Sequence, residues 1–360
     1  MGKAGFQWFV GVVEDRQDPQ RVGRVRVRCL GYHTPDNVQL PTADLPWAHP
    51  MNPITSATIS GLGQTPLGPV EGTWVVGFFQ DGGEAQNPII MGTLPGVPGG
   101  LPTKGSDRGF QDFLNGNYPK YKNETDVNRL AVNDENLPHP SLTLRKADRD
   151  IAVGVANTDA TTVVDDVVDA DDGTFWNEPE TTYAAQYPYN HVYETEGGHI
   201  REYDDTVGAK RIHERHASGS GYEIFDDGTK ITRVKKDNYE IVSADEYCHI
   251  QGIARQTIDK GLRVKVNNLG QASNNYTIEV GAGANVSVEV QEGDINLISQ
   301  QGDVNLKAGK NMNIDVAQAL NIKVGGAITE TSKSKTESAE GTHQMNATLQ
   351  DINGNRIDLN

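Results

Sequence analysis

Residues 278–324 read IEVGAGANVSVEVQEGDINLISQQGDVNLKAGKNMNIDVAQALNIKV, in which two apolar residues separated by one residue recur at steps of eight or nine. Apolar residues at positions i and i+2 are typical of a strand with one buried face. The short step accommodates a strand and a tight corner but no helix. The stretch therefore predicts a β-solenoid with the paired residues as its core. These residues are Ile278, Val280, Val286, Val288, Ile295, Leu297, Val304, Leu306, Met312, Ile314, Leu320 and Ile322.

One apolar pair per repeat is too little to hold a single repeat together. A fully buried apolar side chain contributes ~1.5–3 kcal/mol, whereas ordering the backbone of one residue costs ~1–2 kcal/mol. Stacked copies must form the core together. The spacing leaves two arrangements open: one chain coils upon itself, or three chains intertwine and each supplies one side of a triangular prism. Outward-facing asparagines between the pairs are either a hydrogen-bonded ladder or tolerated surface residues: Asn296, Asn305, Asn313 and Asn321.

Residues 1–98 predict a small closed β-barrel, most simply of the OB type. Five short apolar segments alternate with polar residues and are separated by glycine- and proline-rich turns. The predicted strands are Phe6–Val13, Val22–Leu30, Leu45–His49, Glu71–Gln80 and Pro88–Thr93.

The remaining chain divides into two regions. Residues 99–185 have weak hydrophobic periodicity and an acidic run at 165–172, which predicts an extended linker. Residues 186–360 carry the repeats, first irregularly and then regularly, with a hairpin turn at Asp227-Gly228. Alternation returns near the C-terminus, and Ile357 and Leu359 are the predicted tip. The fold class is therefore all-β.

Composition excludes several classes of protein. The formal net charge of −17 makes nucleic acid an unfavourable partner. Cys29 and Cys248 lie in unrelated segments and form neither a disulfide framework nor a zinc site. No apolar run is long enough for a membrane-spanning helix, and MGKAGFQWFV is unlike a signal peptide, so we expect synthesis in the cytoplasm without one.

Long ordered segments resemble a known family, the central spike of contractile-tailed phage baseplates, to which the valine-glycine repeat tips of type VI secretion systems are related. The segments cover most of residues 5–250. They are GVVEDRQDPQRVGRVRVRCLGYH (11–33), LPWAHPMNP (45–53), GTWVVGFFQDGGEAQNPIIMGTLPG (72–96), NRLA (128–131), YPYNHVYETEGGH (187–199) and EYDDTVGAKRIHERHASGSGYEIFDDGT (202–229).

This resemblance implies an OB domain seated on a baseplate hub ring and a C-terminal intertwined trimeric β-helix that pierces the host outer membrane when the tail contracts. Arg24, Arg26 and Arg28, which alternate along the second predicted strand, are then candidate hub contacts. A small tip protein with a Pro-Ala-Ala-Arg repeat is the expected partner of Ile357 and Leu359. The implied location is the virion tail baseplate, and the pattern does not separate a phage from a secretion device.

Some relatives carry a muramidase domain between the barrel and the needle, at the place of residues 99–185. That region lacks the apolar framework that would hold a glutamic acid and its partner carboxylate across a cleft. The sequence therefore predicts a protein that is not an enzyme and has no catalytic residue, cofactor or metal. Two alternatives remain: an adhesive tail fibre that binds glycan, and a baseplate-associated peptidoglycan hydrolase of another type.

Overall fold

A computed structural model describes residues 7–98, 111–121, 123–142, 179–256, 258, 260–266, 275–349 and 351–352. The chain divides into two units, Met1–Arg263 and Val264–Asn360. The predicted tip residues Ile357 and Leu359 lie outside the described residues, as does the acidic run at 165–172. Every helix and strand of the described residues belongs to the first unit.

Five strands of the N-terminal region close into a barrel, which confirms the predicted OB-like architecture. They are β1 (Gln7–Asp15), β2 (Val25–Cys29), β3 (Trp47–Pro50), β4 (Trp74–Phe79) and β5 (Pro88–Thr93). The strands follow the order β1-β2-β3-β5-β4 around the barrel, and β3 and β5 run parallel. Two short 3₁₀ helices, Thr42–Asp44 and Gly82–Glu84, lie in the connections.

The barrel interior is apolar and closely packed. Val27 is fully buried, and the rings of Phe9 and Phe79 lie 4.8 Å apart at the centre of the core. Gly77 is required where β4 passes β5, because a Cβ atom there would lie 2.0 Å from the carbonyl oxygen of Ile89. Alternation along the strands thus fills one face with apolar side chains.

Arg28 departs from the predicted pattern, because the side of β2 that carries it is not open to solvent. Its guanidinium is buried and contacts Glu14 on β1, with the Nε–Oε1 distance 2.6 Å and the Nη2–Oε2 distance 2.9 Å. It also donates to the carbonyl oxygens of Thr34 and Leu40, each at 2.8 Å. The connection between β2 and β3 therefore covers this face. Arg28 is therefore buried within the chain, and a hub contact through it stays a prediction.

A second sheet is a meander of five antiparallel strands in chain order. They are β6 (Asn190–Glu194), β7 (Ile200–Asp204), β8 (Arg211–Arg215), β9 (Gly221–Ile224) and β10 (Lys230–Arg233). The predicted turn at Asp227-Gly228 joins β9 to β10, and Gly228 adopts a φ of 87°. The sequence assigns residues from 186 onward to the needle. The structure places an antiparallel sheet in the first part of that region.

The buried face of the second sheet is charged. Arg211 forms an ion pair with Glu202, both fully buried, and its Nη1 lies 3.0 Å from Glu223 Oε1. Nδ1 of His213 lies 3.0 Å from Glu202 Oε2. Burial acts to raise the pKa of Glu202, but the hydrogen bond from His213 and the charge of Arg211 lower it below the ordinary value. The carboxylate therefore stays ionised inside the sheet, where removal of either partner would leave an uncompensated charge.

Described residues of the predicted linker pack on this charged face. The helix α1 (Arg129–Val132) buries Leu130, whose carbonyl oxygen accepts hydrogen bonds from Tyr183 Oη at 2.7 Å and Asn190 Nδ2 at 3.0 Å. The Tyr183 ring also lies 4.9 Å from the guanidinium carbon of Arg211. The sequence predicts an extended linker over residues 99–185. These described parts are instead held against the sheet by polar contacts.

The second unit contrasts with the first. Residues 275–349 contain no helix and no strand, and each of these residues is exposed. The predicted β-helix is therefore not confirmed in the isolated chain.

The buried pair in the barrel yields a stability prediction. Replacing Arg28 by Met removes the cation that pairs with the buried Glu14 carboxylate, so we expect a loss of about 3–5 kcal/mol in the free energy of unfolding. Urea denaturation followed by tryptophan fluorescence measures this loss.

A double variant serves as the control. Glu14→Leu combined with Arg28→Met removes both charges, and it should recover most of the lost stability. The lost stability is assigned to the Glu14 carboxylate without its cation. A double variant no more stable than Arg28→Met would contradict this assignment.

Candidate functional site

The repeat region leaves many large apolar side chains uncovered. All twelve predicted core residues are exposed, from 41% for Val280 to 74% for Leu297. Soluble monomers rarely leave so many large apolar side chains in water along one segment. The described residues 275–349 include no strand pairing that would cover them, so the single-chain coil considered from the sequence is absent there. This segment is the candidate self-association surface.

The predicted hub contacts on β2 are engaged within the chain. Nη2 of Arg24 lies 2.7 Å from Asp18 Oδ1, and this hydrogen bond holds the pKa of the Asp18 carboxyl well below its usual range. Arg26 lies over the Trp47 ring at 4.4 Å and donates to the carbonyl oxygen of Leu45 at 2.5 Å. Both side chains are half-buried. A hub contact through Arg24 and Arg26 stays a prediction, whereas Arg28 lies inside.

A cleft of about 540 Å³ separates the barrel from the end of β6. Glu196 accepts two hydrogen bonds from Arg16, at 2.6 and 2.9 Å, and a third from Tyr118. Its carbonyl oxygen accepts from Lys120 Nζ at 3.0 Å. Since Arg16 lies just after β1, this cluster attaches the second sheet to the barrel.

A carboxylate at the end of β6, that of Glu194, anchors the residues around α1. Glu194 Oε2 accepts from Asn128 Nδ2 at 2.5 Å and lies 2.9 Å from His139 Nε2. Nδ1 of His139 accepts the backbone N–H of Ser141 at 3.1 Å and lies 2.7 Å from its hydroxyl oxygen. His139 therefore carries its proton on Nε2 and donates it to Glu194.

Ser141, His139 and Glu194 match the residue types of a hydrolase triad, but their environment does not suit one. The Ser141 side chain is buried, so a substrate has no access to its hydroxyl. The backbone N–H that Nδ1 accepts also competes for the lone pair that a general base would use. The arrangement is that of a structural anchor.

Three carboxylates of the cleft lack the raised pKa that a glycosidase acid requires. Hydrogen bonds from Arg16 lower the pKa of Glu196 to about 2, one from His139 lowers the pKa of Glu194, and one from Arg129 lowers the pKa of Glu124. A general acid for sugar hydrolysis needs a raised pKa. These three carboxylates are instead fixed in the ionised form.

The described residues hold neither a metal cluster nor a membrane-spanning helix. Across the described ranges, no group of three or more His, Cys, Asp and Glu side chains could hold a metal ion. Within those ranges, none of the helices has the length and apolar character needed to cross a membrane.

The loop between β3 and β4 exposes apolar side chains that follow no strand or helix period. The β3–β4 loop, which we define as residues 50–70, exposes Met51, Ile54, Ile59, Leu62 and Leu67. It contains no Asp, Glu, Lys, Arg or His. In the sequence, this loop can be found as a long run without charged residues in an otherwise acidic chain.

Comparison with known proteins defines the class. Residues 32–171 match the family described as the Gp5 N-terminal OB domain. This match covers β3 to β5 and continues through α1.

Two relatives extend the match. The chain is 39% identical over 287 residues to Protein Gp5 of Vibrio phage KVP40, covering 72% of this chain and 64% of that protein. It is 47% identical over 128 residues to the pre-baseplate central spike protein Gp5 of Enterobacteria phage T4, covering 34% of this chain and 22% of that protein. The chain thus spans less than two thirds of each relative. The predicted resemblance to the phage central spike is confirmed.

The Glu196 cluster yields a prediction of pH dependence. Because the folded-state pKa of Glu196 is about 2 and its ordinary value is 4.5, its contribution to stability is fully present above about pH 4.5 and is lost as the pH falls towards 2. Glu196 is half exposed, so Glu196→Gln should cost only about 1 kcal/mol. Hydrogen exchange of the peptides around Arg16 and β6 should rise in this variant at pH 6.

Glu214→Gln is the matched control. Glu214 forms an exposed ion pair with Arg201, 2.6 Å apart, between the neighbouring strands β7 and β8 of the second sheet. This variant should leave exchange around Arg16 unchanged. Equal exchange around Arg16 in wild type and Glu196→Gln would contradict the role of Glu196 in attaching the sheet.

Proposed function

We propose that this chain is a structural component of a phage tail baseplate. In this proposal three copies form a central spike through residues 275–349, with the twelve paired apolar residues inside. The observation that carries it is the exposure of every one of those residues in the single chain. The names of the relatives support the baseplate location, since one of them is a pre-baseplate central spike protein.

Three chains can cover what one chain leaves exposed. Each repeat offers one apolar face, and a triangular prism needs three such faces around its axis. Every buried side chain then contributes ~1.5–3 kcal/mol, repeated along the shaft. Such a shaft rises by one strand spacing, ~4.8 Å, per repeat, whereas a single chain coiled through three repeats per turn would be roughly one third as long.

The work of such a spike is mechanical. The OB barrel sits on a hub ring, the shaft transmits the force of tail contraction, and the tip pierces the host outer membrane. A small protein with a Pro-Ala-Ala-Arg repeat covers the end near Ile357 and Leu359. The intertwined shaft begins after β10, which ends at Arg233. No catalytic residue takes part.

The alternative functions find less support. Residues 277–360 contain no Phe, Tyr or Trp, so an adhesive fibre would lack aromatic rings for stacking on a glycan in this region. A peptidoglycan hydrolase would need an accessible acid or nucleophile, and hydrogen bonds hold the three cleft carboxylates described above in the ionised form. A zymogram on peptidoglycan with the purified chain should show no clearing.

A pair of neighbouring residues tests the trimer. Leu306→Asp places three carboxylates on the axis, where each would lose several kcal/mol of hydration, so the variant should fail to form a trimer. Asn305→Asp adds the same charge on the outward face and should assemble normally. Light scattering should give three times 39.1 kDa for wild type and Asn305→Asp, and a smaller mass for Leu306→Asp.

Two results would contradict the proposal. One is a mass of 39.1 kDa for the wild-type chain at micromolar concentration. The other is normal assembly of Leu306→Asp, which would mean that the paired apolar residues do not face the axis.

A further inference from the structure

The β3–β4 loop carries an exposed apolar surface that the shaft does not explain. Ile54 is fully exposed, and Ile59, Leu62 and Leu67 are each exposed by 65% or more. The loop has no ionisable side chain over residues 50–70, although 22% of the chain is charged. Exposed apolar side chains that cluster on one ordered segment mark a surface for another protein.

Hydrogen bonds inside the loop hold it in shape. Asn52 Nδ2 donates to Thr58 Oγ1 at 3.0 Å, and the backbone N–H of Gln64 donates to Ser56 Oγ at 2.8 Å. The backbones of Ile59 and Leu62 form an isolated antiparallel bridge. The polar groups thus satisfy one another within the loop, while the large apolar side chains point into solvent.

Close approaches and backbone strain reinforce this order. Gly63 has a φ of 91°, and a Cβ atom there would lie 2.5 Å from Ser56 Oγ. Thr58 adopts a φ of 48°, which is rare for a β-branched residue and is retained in proteins mostly at functional sites. Pro66 seats the loop on the barrel, where its carbonyl oxygen leaves no room for a Cβ on Gly23. The loop conformation is therefore preorganised within the single chain.

We propose that the occupant of this surface is the same loop of two other copies, meeting around the three-fold axis of the proposed spike. This inference rests on the proposed function, because it requires three barrels side by side. Equivalent residues approach one another near a symmetry axis, so any charge there is present three times at short range. Each chain has a net charge of −17, and the β3–β4 loop is an uncharged apolar segment of the barrel, so it can meet its own copies without repulsion.

Cysteine cross-linking of the full chain tests this contact. Ile59→Cys and Leu62→Cys are made separately in a Cys248→Ser background and treated with a short bis-maleimide. The remaining thiol, Cys29, is buried, and burial raises its pKa to about 12, so it does not react. Denaturing gels should show covalently linked chains for both variants.

Val38→Cys is the matched control. Val38 lies in the β2–β3 connection of the same barrel and is 89% exposed, as accessible as the loop residues. Its thiol should react with a monofunctional maleimide at a similar rate but should link chains about tenfold more slowly or worse, because its copies are not held together.

Native mass measured on the same samples separates this inference from the proposed function. A trimeric mass with linked Ile59→Cys and Leu62→Cys chains supports both. A trimeric mass with chains that stay single, or that link only to a different protein in assembled baseplates, overturns the loop contact and leaves the trimer standing. A mass of one chain with no linkage overturns both.

Discussion

An apolar side chain has to be removed from water by some neighbour, and residues 275–349 supply none. Each repeat presents two large apolar groups, yet the described segment forms no strand that would cover them. The described residues of this region therefore leave their repeated apolar side chains exposed. In the proposed trimer, covering these side chains also brings three copies of the barrel together. The proposals for the trimer and for the β3–β4 loop both rest on this constraint.

The barrel was accessible from sequence because its core is apolar and its strands alternate. Val25 and Val27 pointed to the buried face of β2, and the bounds of β5 agree with the predicted Pro88–Thr93. Alternation tells which residues share a face, but it does not tell whether a loop covers that face. Arg28 illustrates this limit of alternation, since the β2–β3 connection encloses its side chain and supplies two carbonyl acceptors.

The second sheet and the cleft cannot be predicted from hydrophobic periodicity for a different reason. Hydrophobic periodicity detects cores made of apolar side chains, whereas this sheet buries Glu202, Arg211 and Glu223. The contacts of Glu194 and Glu196 join residues far apart in the chain through hydrogen bonds that leave no period in the sequence. The β3–β4 loop is visible in the sequence as a run without charged residues, but strand periodicity does not identify it.

The stepwise repeat also has a consequence for how such a protein changes over generations. Successive repeats have nearly the same length and the same apolar spacing, so gain or loss of a whole repeat preserves the register of those that remain. In a homomeric assembly the change enters every chain at once, and no second gene has to adjust. The length of the proposed shaft can therefore change in discrete increments, while the barrel stays under separate selection.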